Sequence, residues 1–203
     1  IDVEPHEIVK ITKQNRVVIT NYGAPDFEGN SITVINTEAN KIEKTIYLKE
    51  EVRPHGIVNI PNSNKVAVVT DKYNNLLLID LETGEVEKKI PTKQKFSHLL
   101  AIHPIKPLAY VTNSKSNSVS VVDLLSDEVI KIINCENGTE GIDITPDGSE
   151  IWVTNDKENT IQIIDSNGHQ IINTLNTDMG PSRLKFSVDG KYCLVTNANA
   201  GTV

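Results

Sequence analysis

The chain lacks the features of a disulfide-stabilised, membrane-spanning or strongly basic protein. Its 203 residues include two cysteines, Cys135 and Cys193, which fall in different repeats and give no disulfide framework. No run approaches the roughly 18 consecutive apolar residues that a membrane-spanning helix needs. Asp and Glu number 27 against 20 Lys and Arg, for a net charge of -7. This acidic balance disfavours a nucleic-acid partner, which would call for a basic stripe.

Motifs of common enzymes are also missing. The sequence contains no nucleophile elbow, no glycine-rich phosphate loop and no HxxxH pair, so no catalytic class is indicated. Hydrophobic residues at 38% and charged residues at 23% are typical of a globular protein with a sizeable core. The sequence begins at Ile1 rather than methionine, as a processed or trimmed product would. We therefore expect an extracytoplasmic location, whether periplasmic, secreted or at the cell surface.

A Val-Thr-Asn motif recurs along the chain at a fixed step. Its threonines are 42 residues apart at Thr70, Thr112, Thr154 and Thr196, and the copy at Thr70 continues with aspartate instead of asparagine. An upstream relative, Ile19-Thr20-Asn21, lies further away because a longer loop follows it. Self-similarity at a period of about 40 residues predicts a repeat architecture. The chain therefore holds five copies, the last of them incomplete.

Each repeat is predicted to contain four short strands separated by turns. In the fourth copy these are residues 141–144, 151–154, 160–165 and 170–175, with a Pro146-Asp147-Gly148 turn after the first strand. The first and third strands alternate in polarity, as half-buried strands do, whereas the second is apolar on both faces and should be interior. Trp152 in that second strand is expected in the core. A recurrent aspartate at the end of the third strand is expected to bond turn amides; its copies are Asp80, Asp123 and Asp165.

These spaced motifs resemble the YVTN family of β-propellers, which includes YncE-like proteins and archaeal surface-layer propellers. The resemblance covers essentially the whole chain and implies an all-β propeller of four-stranded antiparallel blades, with about 4.5 blades present out of seven. We expect a single domain over residues 1–203, closed by remaining blades or by a partner chain. An alternative five-bladed ring completed by residues 1–4 has too few strands. The predicted blades are residues 6–48, 55–90, 98–133, 140–175 and 182–203.

Aligning the repeats places one polar column where the first strand of each blade begins. The column reads His6, His55, His98, Glu140 and Ser182. The resemblance implies that this position lies at the mouth of the central channel, the face where propellers generally bind ligands. Imidazoles and a carboxylate converging there are the ligands that a transition metal or a haem iron requires. The layout resembles the copper centre of nitrous oxide reductase and the haem-d domain of nitrite reductases. His6, His55, His98 and Glu140 are therefore the predicted metal ligands.

An alternative explanation of this column needs no ligand. A polar residue after proline can hydrogen-bond backbone groups where the strand begins, and descent from a Pro-His-Gly repeat would also place histidines there. The remaining histidines, His103 and His169, fall in turns, where a structural role and a solvated role are expected respectively.

The loops that follow the Val-Thr-Asn motifs lie on the same predicted face. The first is the longest, over residues 21–30, and contains Tyr22, while Tyr73 lies in the next one. Arg53 and Arg183 lie near these loops in the alignment, and their guanidinium groups suit a carboxylate, phosphate or sugar ligand. Ordinary variation of solvated loops would also explain these residues.

Three functions are consistent with these observations. The first is a scaffold that binds a small ligand or a protein partner at the channel mouth, using residues that include Arg53, His55 and His98. The second is a metal- or haem-containing redox enzyme, or the propeller subunit of one. The third is a lactone hydrolase, because phosphogluconolactonases share the propeller fold, although His55, Glu140 and Arg183 are too generic to carry that assignment. Tyr22, Phe27 and Tyr73 are the aromatic residues that could stack on single-stranded nucleic acid.

Overall fold

A computed structural model describes residues 4–11 and 14–203. Every regular element in these two ranges is a β-strand. In chain order the strands are β1 (Pro5–Lys10), β2 (Arg16–Ala24), β3 (Phe27–Asn36), β4 (Lys41–Tyr47), β5 (Pro54–Asn59), β6 (Lys65–Thr70), β7 (Asn75–Asp80), β8 (Val86–Pro91), β9 (Ser97–Ile102), β10 (Leu108–Asn113), β11 (Ser118–Asp123), β12 (Glu128–Asn134), β13 (Thr139–Ile144), β14 (Glu150–Asn155), β15 (Thr160–Asp165), β16 (Gln170–Asn176), β17 (Pro181–Phe186) and β18 (Cys193–Asn197).

The strands form four sheets of four strands and one sheet of two. Each four-stranded sheet takes its strands in chain order, so β1 to β4 form the first sheet and β13 to β16 the fourth, while β17 pairs with β18. Neighbouring strands pair antiparallel, as connections of a few residues require. This arrangement confirms the predicted all-β fold of four-stranded antiparallel blades. Residues 1–3, which the five-bladed alternative would use, lie outside the described ranges.

The chain divides into two compact units, each built of consecutive sheets. The first contains the described residues up to Pro91 together with Phe96–His98, and the second contains Thr92–Lys95 and Leu99–Val203. In the first unit the amide of Phe96 donates to Asn74 Oδ1, which ties Phe96–His98 to the β6–β7 turn. The prediction of one domain over residues 1–203 stays a prediction.

Each unit has its own apolar core. The first core is formed mainly by branched side chains from β2, β3, β5, β6 and β7, and the second includes the fully buried Tyr110. Burial of apolar surface contributes about 25 cal/mol per Å², which makes these contacts the main favourable term for each unit. Within the described residues no helix is long and apolar enough to cross a membrane.

Recurrent polar residues close the turns in the predicted way. Asp80 Oδ1 accepts the amides of Glu82 and Thr83 at 2.8 and 3.0 Å, and Asp123 Oδ1 accepts the amide of Leu125 at 2.8 Å. The Thr83 amide is the main cause of the lowered pKa of Asp80. The expected role of these aspartates as structural residues is therefore confirmed.

Burial differs from the sequence prediction in two places. Second strands such as β6 and β10 are interior as expected, but the third strands are not half-buried: in β7 and β11 all residues except the terminal aspartate are buried. Both strands lie in the middle of a sheet, so small polar side chains such as Ser120 become buried too. Trp152 is only partly buried, because its indole donates to Glu150 at 2.8 Å and packs edge-on against Phe186. The prediction that Trp152 belongs to the core was wrong to that extent.

The predicted long loop over residues 21–30 is mostly β-structure. Strands β2 and β3 continue through it and pair as far as Ala24 and Phe27, with a register shift between Asn21 and Gly23. Gly23 has a φ of +92°, and a Cβ at this position would lie 2.1 Å from a backbone nitrogen of the facing strand. The extra residues therefore form a hairpin extension with a bulge, which carries Tyr22.

Candidate functional site

The three predicted histidines of the first unit come together in space. His6 Nε2 lies 2.7 Å from His55 Nε2, with the two rings nearly perpendicular at 82°. The ring of His98 stacks on that of His55 with centroids 3.8 Å apart and a 36° tilt. His55 and His98 are buried, at 3% and 8% exposure, whereas His6 is exposed. We call these three residues the histidine cluster.

A backbone irregularity sets the direction of the first histidine. In β1, Pro5 pairs with Asn21 and Ile8 with Ile19, so three steps on β1 face two steps on β2. Successive side chains of a regular strand point to opposite faces, but an inserted residue interrupts this alternation. The same shift occurs in β5 between Pro54 and Ile57. Both of these first strands therefore present their histidine from a bulge.

The repeated threonine of the Val-Thr-Asn motif links neighbouring first strands. Thr20 Oγ1 accepts the amide of Glu7 at 3.0 Å and donates to the carbonyl of His55 at 2.9 Å. In the second unit Thr112 Oγ1 makes the equivalent bonds, to the amide of Leu99 at 3.1 Å and the carbonyl of Glu140 at 2.9 Å. A fully buried hydroxyl thus satisfies two backbone groups at once. This explains why threonine recurs and also fixes His55 relative to Glu7.

The asparagine of the same motif bonds hydroxyls of the third strand. Asn21 Nδ2 donates to Ser31 Oγ at 2.9 Å and to Thr33 Oγ1 at 3.0 Å. The degenerate second copy has Asp71 in this position, and Asp71 accepts a hydrogen bond from the Tyr22 hydroxyl. The aspartate that replaces the consensus asparagine therefore contacts Tyr22, a residue of the predicted ligand-binding site.

Tyr22 lies between a carboxylate and a guanidinium. Its ring centroid is 5.2 Å from that of His6 and 5.3 Å from that of His55, and the Arg53 guanidinium carbon lies 4.9 Å above the ring. Burial and the hydrogen bond to Asp71 raise the pKa of Tyr22. The Tyr22 side chain therefore stays a neutral hydrogen-bond donor at physiological pH.

Both predicted ligand-binding arginines make ion pairs with glutamates. Arg53 lies 3.2 Å from Glu28, and its hydrogen bonds with Tyr22 and Glu28 raise the pKa of Arg53. In the second unit Arg183 lies 3.1 Å from Glu140. Carboxylates already compensate the charge of both arginines, which weakens the expectation that they bind an anion.

Tyr73, the second predicted aromatic of these loops, is accessible at the surface. It is 48% exposed, and the ammonium group of Lys72 lies 5.8 Å from its ring centroid. Lys72 in turn pairs with Glu28, the same carboxylate that Arg53 contacts. One glutamate of the β2–β3 extension therefore neutralises two cations on this side of the first unit.

A cleft of about 460 Å³ opens beside the histidine cluster. Glu4, Pro5, His6 and Tyr22 line this space. Because His6 and Tyr22 also contact His55, a molecule in the cleft would reach the outer edge of the cluster. Aromatic walls with a few convergent polar atoms are typical of small-molecule sites.

Sequence reasoning missed one functional candidate, Glu7. The ligand atoms of His6, Glu7 and His55 all lie within 4.8 Å of one another. The sequence did place Glu7 beside a histidine, in a position that holds Gly56 in the second repeat, but regular strand geometry would have sent its side chain to the other face. Glu140, the predicted fourth ligand, belongs to the second unit.

The remaining histidines lie in turns of the second unit. His103 Nδ1 accepts the amides of Ile105 and Lys106 at 3.1 and 2.9 Å, which confirms its expected structural role. His169 is partly buried rather than simply solvated, and burial lowers its pKa. Both cysteines are free, as expected.

Comparison with known structures defines the class of protein. Hydrazine synthase of Kuenenia stuttgartiensis is similar with a TM-score of 0.85 over 97% of this chain and 57% of that chain, at 19% identity. That identity speaks for the fold alone. The chain therefore has a partial β-propeller fold, as its four-stranded sheets indicate.

Comparison with curated proteins narrows this class. The chain is 26% identical over 144 residues to the uncharacterised protein YncE of Salmonella typhimurium strain LT2, and equally to YncE of Salmonella typhi. These alignments cover 70% of the chain but only 38% of each relative. No model of a known protein family matches the chain. The recurrent motif, the fold and these similarities support its assignment to the YncE-like family of β-propellers.

Proposed function

We propose that this chain is a binding scaffold that recognises a small ligand or a protein partner through the histidine cluster and Tyr22. The observation that carries the proposal is the cleft of about 460 Å³ lined by His6 and Tyr22, whose rings both contact the buried ring of His55. Buried aromatic rings behind an open cleft provide a rigid surface whose ordering has no large entropic cost on binding. Variable residues on a repeated scaffold are the usual place for recognition.

The surface favours a partner that combines a planar or apolar part with hydrogen-bonding groups. His6 offers an imidazole at the cleft, and Tyr22 adds a ring face whose hydroxyl is already engaged by Asp71. Arg53 is held by Glu28, so charge pairing with an anionic ligand is secondary in this proposal. The partner would therefore bind mainly by stacking and by hydrogen bonds to imidazole.

A fragment screen by ligand-observed NMR tests this proposal. A library of planar heteroaromatic compounds would be screened against the wild-type chain and against a His6→Ala/Tyr22→Ala variant. Tyr47→Ala provides the matched control, because Tyr47 is an exposed tyrosine of the first unit on the outer strand β4. We expect fragments that bind wild type and Tyr47→Ala but not the double variant. Fragments that bind all three proteins equally would overturn the proposal.

We infer that further blades, or a partner chain, complete the ring, because the chain aligns with 38% of its YncE relatives and 57% of the structural neighbour. The extracytoplasmic location also remains our proposal. The haem-containing redox enzyme and the lactonase stay predictions, and the ion pair between Glu140 and Arg183 adds no specific support to either.

A further inference from the structure

We propose that His6, Glu7 and His55 bind a single divalent late first-row transition-metal ion such as Zn²⁺. The inference rests on the proposed function only in that the metal would occupy the edge of the same cleft. It differs from the ligand set expected from the repeat alignment, because Glu7 replaces His98 and Glu140.

The two imidazoles already direct their nitrogens at each other. At 2.7 Å, His6 Nε2 and His55 Nε2 share one hydrogen, which one nitrogen donates and the other accepts. Zinc–nitrogen bonds are about 2.0–2.1 Å, so two nitrogens on one tetrahedral zinc lie about 3.3 Å apart. Binding therefore requires the pair to separate by about 0.6 Å, while the shared hydrogen leaves for Nδ1 or solvent. The exposed ring of His6 can make this movement while His55 stays in place.

Glu7 supplies the third ligand from the same bulge as His6. One oxygen of its carboxylate lies within 4.8 Å of the ligand nitrogens of both His6 and His55. The amide of Glu7 is bonded to Thr20, which also holds the carbonyl of His55, so the two strands that carry the ligands are connected directly. Two histidines and one carboxylate are a known ligand set for zinc, and the fourth position would face the cleft.

The kinds of ligand atom at the site determine which metal ions it favours. Calcium and magnesium prefer sites built of oxygen ligands, whereas imidazole nitrogens suit zinc, copper, nickel and cobalt. Rings on two sides hold His55, namely Tyr22 edge-on at 5.3 Å and His98 stacked at 3.8 Å. A ligand ring held in this way loses little freedom when the metal binds.

His98 is better placed as a support than as a ligand. Imidazole lone pairs lie in the plane of the ring, so stacked rings direct them nearly parallel rather than towards one point. With a tilt of 36° at a centroid distance of 3.8 Å, His98 stacks on His55 instead of converging with it. The nearly perpendicular pair of His6 and His55 has the converging geometry.

Metal titration of the untagged full chain tests the inference. Zn²⁺ is titrated by calorimetry in a non-chelating buffer, and Co²⁺ by its visible d–d absorption. We expect one ion per chain and cobalt bands typical of a low-coordinate site. Loss of hydrogen-bond partners around metal ligands costs about 10–100-fold in affinity, so loss of a ligand should cost about 100-fold or more in His6→Ala and in the isosteric Glu7→Gln.

Matched variants separate the two ligand sets. His98→Phe keeps the stacked ring but removes its nitrogens, and Glu140→Gln removes the charge of the carboxylate predicted from the repeat alignment. We expect both variants to bind zinc within about threefold of wild type, a difference of at most about 0.65 kcal/mol. An overturning result would be the absence of stoichiometric binding, binding that Glu7→Gln leaves unchanged, or binding lost in His98→Phe or Glu140→Gln.

The fragment screen distinguishes a failure of the proposed metal site from a failure of the proposed ligand-binding function. Glu7→Gln should lose the metal yet still bind the fragments that wild type binds, because Glu7 does not line the cleft. Circular dichroism of each variant establishes that it is folded. If His6→Ala proved unfolded, Glu7→Gln would decide the question alone, since it preserves the shape of the side chain.

Discussion

Removing the Thr20 hydroxyl tests most directly whether the threonine of the repeat motif connects the strands that carry the candidate site. Thr20→Val keeps the shape of the side chain but removes the atom that bonds the Glu7 amide and the His55 carbonyl. Thr20 is fully buried, so water cannot replace the lost partner. An unsatisfied buried group costs about 1–3 kcal/mol, and a partly buried amide loses about 0.5–1.5 kcal/mol of net hydrogen bonding. We therefore expect a loss of about 2–4 kcal/mol in the free energy of unfolding.

Urea denaturation followed by circular dichroism and by tyrosine fluorescence measures this loss. Thr20→Ser keeps the hydroxyl and loses one methyl group, which should cost about 1 kcal/mol. Thr174→Val, at an exposed threonine of β16, should change stability by less than about 0.5 kcal/mol. Thr112→Val should behave like Thr20→Val, because its bonds are equivalent. If the valine variant at position 20 were as stable as the serine variant, the bridging role of the hydroxyl would be refuted.

Single contacts give three further predictions. Gly23→Ala should cost about 1–2 kcal/mol from its positive φ alone, and more from the 2.1 Å backbone approach, measured as a lower urea midpoint; an unchanged midpoint would contradict this. Tyr22→Phe should destabilise the chain by about 1.5–3 kcal/mol, because the buried Asp71 loses a donor, whereas Tyr47→Phe should not. Burial raises the pKa of Cys135 to about 12 and of Cys193 to about 11. Both thiols should therefore react with a disulfide reagent at pH 8 at least about 100-fold more slowly in the folded chain than in urea, and equal rates would contradict this.

The fold was largely predictable because the same pattern of strands and turns recurs in successive repeats of the sequence. Three exact copies of Val-Thr-Asn and two close relatives, together with the recurrent turn residues, identified the strands, and the structure confirms the four-stranded sheets. The alternation of polar and apolar residues within a single strand predicted the burial of that strand less well. The third strands were predicted to be half-buried because of residues such as Ser120 and Gln162, yet the structure buries both, since a hydroxyl or amide that bonds within the sheet can be buried.

The candidate site was predictable only in part. Alignment placed His6, His55 and His98 in equivalent positions, and the structure brings them together in the first unit. The role of Glu7 could not be predicted, because it depends on a bulge that interrupts strand alternation and leaves no residue signature. The ion pair of Arg53 with Glu28 could not be predicted either. It depends on the β2–β3 extension, which the sequence suggested was a loop.

Anomalous diffraction from zinc-soaked crystals of the full-length protein tests the central claim most directly, because it locates the metal and the imidazoles together. The account predicts one peak about 2.0–2.1 Å from Nε2 of both His6 and His55, with the Glu7 carboxylate as the third ligand and the ring of His98 still stacked on that of His55. A structure in which these imidazoles point away from one another, or in which zinc binds elsewhere on the chain, would contradict it.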